Sequence, residues 1–95
     1  MRVVWTRLAL WDLEAIGGFI ARDNPTAAAK IVTHIFDQTE LLALHPHIGR
    51  VGRIKGTREL VVTDTPFITA YRVKEDRVEV LAVFHGARRW PDCFD

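Results

Sequence analysis

At 95 residues the chain is long enough for one modest hydrophobic core, and a single domain spanning residues 1–95 is expected. Apolar residues make up 48% of it and charged residues 26%, a globular balance that argues against disorder. No apolar run approaches the roughly 20 residues needed to span a bilayer, the start does not resemble a secretory signal, and the lone Cys93 permits no internal disulfide, so a cytoplasmic location without membrane contact is expected.

In chain order, "RVVW" is a short strand candidate. Thr6 then caps a helix, its hydroxyl accepting from an orphan backbone N–H of the first turn. Ala9, Leu13, Ile16 and Ile20 recur at spacings of three and four, and Trp11 and Phe19 are read as widening that apolar stripe. Gly17 and Gly18 weaken the helix by roughly 1 kcal/mol each relative to alanine, which suits close approach of a neighbour. "DNP" marks a boundary: Asn24 caps a second helix and Pro25 occupies its first position, where a missing N–H costs nothing. That helix carries Ala28, Ile31, Ile35 and Leu42 on one stripe and stops near His45, ahead of Pro46. So short a join predicts an antiparallel helical hairpin.

After Gly56 the pattern changes to "TRELVV", "FITAYRV" and "VEVLAVFH", β-branched and aromatic runs of strand length, with "KEDR" as a hairpin loop. Alternation puts Phe67, Thr69, Tyr71 and Val73 on one face and Ile68, Ala70 and Arg72 on the other. In the last strand it sets Val78, Val80, Ala82 and Phe84 against Glu79, Leu81, Val83 and His85. The expected class is α+β: a short N-terminal strand, a helical hairpin and a three-stranded antiparallel meander, with both helices on the more apolar face. Arg72 and His85 are then expected to look out from the other.

Charge is unevenly spread. Residues 1–48 hold four Lys/Arg against five Asp/Glu, and residues 49–95 hold nine against seven. "GRVGRIKGTR" carries Arg50, Arg53, Lys55 and Arg58 with no acidic residue, either a solvated strip or a surface for phosphate or an acidic partner. At the end of the last strand His85, Arg88, Arg89 and Trp90 form a second polar cluster, suited to something anionic. Neither the helical His34 nor any other His or carboxylate spacing suggests a metal site, and no cofactor is expected.

The order β-α-α-β-β-β resembles the RelE/ParE superfamily of toxins from bacterial type II toxin–antitoxin modules. The matching landmarks are "WTRLALWDLEAI", "NPTAAAKIV", "LLALHPHIGRVGRIKGTREL", "FITAYRV" and "VEVLAVFHGARRW", together roughly residues 3 to 90. The resemblance implies a growth-inhibitory cytoplasmic toxin neutralised by a cognate antitoxin. It leaves the poisoned target open, because fold does not fix function.

RelE-like members cleave mRNA on the ribosome without a metal, which the cationic groups and the histidine here favour slightly. On that reading Arg58, Arg72 and Arg88 stabilise charge at the phosphoryl group, His85 is the general acid or base, and Arg50, Arg53, Lys55, Arg89 and Trp90 bind nucleic acid or target. Each has a plainer role: Arg72 can pair with Glu59 or Glu79, and His85 can hydrogen-bond a backbone carbonyl. Trp90 stands where many RelE-like toxins have a tyrosine that helps proton transfer, a departure that weighs against cleavage. ParE-like members instead poison DNA gyrase by binding it, and the cationic strip and Trp90 then become protein contacts.

Overall fold

Thr6 ties together the first three things the chain must do. In the computed structural model, which describes residues 1–87, its hydroxyl accepts the Ala9 N–H at 3.2 Å and so caps the first helix. The same hydroxyl donates to the Val80 carbonyl at 2.8 Å, and the Thr6 N–H reaches that carbonyl at 3.1 Å. A strand ending, a helix start and a distant strand are thus joined at one residue. Arg88, Arg89, Trp90 and Cys93 lie outside the described residues.

Strand β1 is Arg2–Trp5, helix α1 Arg7–Ala21 and helix α2 Pro25–Glu40. Asn24 caps α2 by accepting the Ala27 N–H at 3.0 Å, with Pro25 at the first position as its sequence requires. A 3-10 turn, Leu41–Ala43, carries the chain off α2 before Pro46. Strands β2 (Arg50–Val51), β3 (Arg58–Val61), β4 (Phe67–Val73) and β5 (Arg77–His85) follow. They form a five-stranded mixed sheet in the order β1-β5-β4-β3-β2, antiparallel except where β1 runs parallel to β5. The two-residue β2 is an addition to the expected meander. Flanked by Gly49 and Gly52, it is too short for alternation to reveal.

The helices cover mainly one face of the sheet, although Leu8, near the start of α1, packs against Ala70 and Ala82. Leu13 and Ile35 are buried with Val62 and Val83, and Ile16, Ile31, Val32 and Phe67 pack around them. Leu42, in the middle of the 3-10 turn, meets Leu60, Tyr71 and Val78. The Thr39 and Thr69 hydroxyls satisfy each other inside this layer at 3.1 Å. At Gly17 the second helix comes close: a Cβ there would lie 2.9 Å from Val32 Cγ2. Gly18 has open space around it instead.

Two expectations require correction. Trp11 and Phe19 do not widen the buried stripe; they are 62% and 70% exposed. At 100° per residue Trp11 sits about 200° from both Ala9 and Leu13, on the solvent side. The second correction concerns β5. Ala70 pairs with Ala82 but Tyr71 pairs with Val80, so Leu81 is an extra residue in the ladder. This bulge reverses the alternation beyond it. Val83 and His85 therefore share the helix-covered face with Val78 and Val80, while Ala82 and Phe84 join Ile68 and Ala70 on the other.

Candidate functional site

The bulge decides where the expected site residues go. Cross-strand partners project from the same face, so Arg72, paired with Glu79, stands on the face opposite the helices. His85, paired with Phe67, stands on the helix-covered face. Five residues of β4 separate the two rungs, roughly 16 Å along the strand. Arg58 pairs with Tyr71 and so shares the face of His85, but four residues of β4, roughly 13 Å, and two strand spacings keep them apart. The described members of the expected catalytic set are not brought together.

Each of them has local work. Arg72 Nε donates to Glu79 Oε1 at 2.5 Å, and Arg77 reaches Glu79 Oε2 through Nε at 3.1 Å and Nη2 at 3.0 Å. The Arg72 hydrogen bond, reinforced by Arg77, holds the Glu79 carboxyl below its ordinary value against the opposing effect of burial. Arg58 Nη1 donates to the Gly49 carbonyl at 2.8 Å and to the His47 carbonyl at 3.4 Å. His85 is exposed; its Nδ1 accepts the Ala87 N–H at 3.1 Å, and its ring meets Phe67 edge-on with centroids 5.8 Å apart. In the neutral ring that places the proton on Nε2. His85 also helps line a cavity of about 360 Å³ with Asp12, Ile16, Phe19 and Phe67.

The four cations of the strip lie on one hairpin. The stretch from Gly49 to Arg58 is a hairpin, with Arg50 and Val51 paired to Glu59 and Arg58. Gly52 N–H donates to the Thr57 carbonyl at 2.8 Å and Thr57 N–H to the Ile54 carbonyl at 3.0 Å. Gly56 supplies the turn with φ of 83°, a left-handed conformation that costs glycine nothing. Arg50 Nε donates to Glu59 Oε1 at 2.7 Å. Arg53 and Lys55 are exposed, and among the described residues neither forms an ion pair.

Sequence reasoning missed what anchors this hairpin. The buried Tyr71 hydroxyl accepts the Gly49 N–H at 2.9 Å and donates to the Pro46 carbonyl at 2.8 Å. Burial pushes that hydroxyl above its ordinary value, opposed by the Gly49 bond and by nearby Arg58, so it stays neutral and able to donate. A Cβ on Gly49 would lie 2.5 Å from the Tyr71 oxygen and 2.8 Å from the Glu59 carbonyl oxygen, so only glycine fits. The "IGR" glycine before a basic run was the one available signal. Among the described residues no group of three or more His, Cys, Asp or Glu could hold a metal ion.

Comparison with known proteins identifies the scaffold. Residues 3–90 match the family model described as the ParE toxin of the type II toxin–antitoxin system parDE. The chain belongs to the ParE toxin family. Protein Y4kP of Sinorhizobium fredii is 48% identical over 90 residues, covering 95% of this ParE-family chain and 93% of the relative. Toxin RelE2 of Caulobacter vibrioides is 36% identical over 87 residues, covering 92% and 97%. A chain of the chromosomal ParDE system from P. aeruginosa superposes with a TM-score of 0.80 at 31% identity, over 90% of this chain and 95% of that one. The solution structure of HP0894 from Helicobacter pylori, at 13% identity and a TM-score of 0.56, shares the fold. This ParE-family member is thus a toxin of a type II toxin–antitoxin module, within the RelE/ParE superfamily, and the module implies a cognate antitoxin as partner. No helix among the described residues is long and apolar enough to cross a membrane.

Proposed function

We propose that this toxin disables its target by binding rather than by cutting RNA, and that the target is DNA gyrase, as the ParE-like alternative implies. The observation that carries this reading is the placement of Arg72 and His85 on opposite faces of the sheet. Cleavage by the neighbouring 2′-hydroxyl needs a general base within hydrogen-bond reach of that hydroxyl, with cations at the same phosphate. Here Arg72 is committed to Glu79 and Arg58 to loop carbonyls, away from the imidazole. The slight preference for a RelE-like nuclease rested on their convergence, and without it the binding reading is the better supported.

The test pairs two assays on the toxin freed from its antitoxin. Purified gyrase should lose supercoiling activity and accumulate double-strand breaks, while primer extension after induction shows no codon-positioned mRNA cuts. Codon-positioned cuts that disappear in His85→Ala would restore the ribosomal nuclease instead. That second reading keeps one support, the RelE name of the Caulobacter vibrioides relative.

A further inference from the structure

We infer that the cationic hairpin from Arg50 to Arg58 is the surface with which the toxin grips an acidic patch on folded gyrase. This rests on the gyrase reading above and assigns it a location. Three observations carry it. The first is charge: Arg53 and Lys55 project from a segment without a single acidic residue and have no ion-pair partner among the described residues. Unpaired like charges side by side favour an anionic partner and fast, salt-sensitive encounter.

The second is preorganisation. Tyr71 and Arg58 fix the loop at Gly49 from inside the protein, and Thr57 closes the turn at Ile54 with its N–H and its hydroxyl, the latter at 2.5 Å. A side chain presented from a fixed backbone loses less freedom on binding than one on a loose loop.

The third is what stands between the cations. Val51 is 80% exposed and Ile54 37%, with Ile48 (54%) just before them. Apolar side chains interleaved with cations suit a protein interface with a dry centre and a charged rim. Single-stranded nucleic acid would call for aromatic stacking platforms, and this segment has none. The two residues of β2 also offer too short an edge to template an added strand, which points to docking on a folded surface through side chains rather than capture of an extended segment.

The experiment uses full-length toxin, purified gyrase holoenzyme, relaxed plasmid and the cognate antitoxin. The double charge reversal Arg53→Glu with Lys55→Glu lies on exposed turn residues, and an unchanged thermal midpoint will show that it folds. The concentration for half-inhibition of supercoiling should rise about tenfold or more, and Arg53→Gln with Lys55→Gln should fall between it and the wild type. Antitoxin affinity should stay within about twofold of the wild type. Gyrase inhibition unchanged by the reversal would overturn the assignment while leaving the gyrase reading standing. Wild-type toxin without effect on gyrase would overturn both. Loss of antitoxin binding with inhibition intact, or wild-type binding to duplex DNA alone that the reversal abolishes, would give the surface to another partner and equally overturn it.

Discussion

The Asp12 carboxylate accepts the backbone N–H of Val83 at 2.9 Å, linking α1 to β5 across 71 residues of chain. The link exists because β1 is short. It pairs with β5 only from Arg77 to Val80, leaving the edge of β5 beyond that point without a strand. Helix α1 runs alongside this bare edge, and Asp12 meets the donor that a longer β1 would have taken.

Asp12→Ala should therefore destabilise the fold by about 1–3 kcal/mol, the cost of a partly buried N–H left without an acceptor. Asp12→Asn keeps an acceptor and should cost less. Burial raises the Asp12 carboxyl above its ordinary value, with the Val83 bond opposing. The folded state thus binds this proton more tightly than the unfolded chain, and ionising Asp12 costs stability. That cost is full above the folded value and is relieved as pH falls through it toward 3.8. Urea melts of the wild type and Asp12→Asn across this range will show the difference.

Glu79 works in the opposite direction. Its folded value is depressed, chiefly by the Arg72 hydrogen bond, so its stabilisation is complete above the ordinary value of 4.5 and lost as pH falls through the folded one. Glu79→Gln should lower stability at pH 7 by about 1 kcal/mol or less, because Arg72 is partly solvated, and should have a smaller effect at an acidic pH below the ordinary value of 4.5, where the depressed folded carboxyl begins to protonate. Parallel thermal melts at the two pH values measure this.

Gly49→Ala tests the anchor of the hairpin. The new methyl must displace either the Tyr71 ring or the β3 backbone, at about 1–3 kcal/mol for overpacking. Because the displaced segment leads directly into Arg50, gyrase inhibition should fall as well, even at temperatures where the variant stays folded. A variant with wild-type melting and wild-type inhibition would show that the loop yields freely.

Induction of the toxin alone should arrest growth, and coexpression of its antitoxin should restore it. Colony counts after induction, with soluble folded toxin verified, give the answer directly.

Much of the architecture was legible because its determinants are local. Thr6, Asn24 and Pro25 each announce a helix start through their own hydrogen-bonding chemistry, and the β4 alternation from Phe67 to Val73 holds throughout. The site was not legible, because one nonlocal event governs it. Whether Leu81 continues the pleat or bulges depends on which β4 residue it meets, and "VEVLAVFH" reads as unbroken alternation either way. A single inserted residue moved His85 to the face opposite Arg72. The roles of Tyr71, Gly49 and Asp12 were hidden for a similar reason, since each is defined by a partner at least 22 residues away. Arg72 with Glu79 was different: the pairing was visible as a cross-strand option, and it forms.

The first strand has the last one as its sheet neighbour, with Arg2 opposite Arg77. During synthesis β1 consequently waits until residues 77–80 have been made, roughly 4–16 s at ordinary elongation rates of 5–20 residues per second. Until then the sheet lacks its seam and α1 has no edge to cover. The sheet of this toxin therefore closes late and all at once, its two ends meeting only after everything between them has been made.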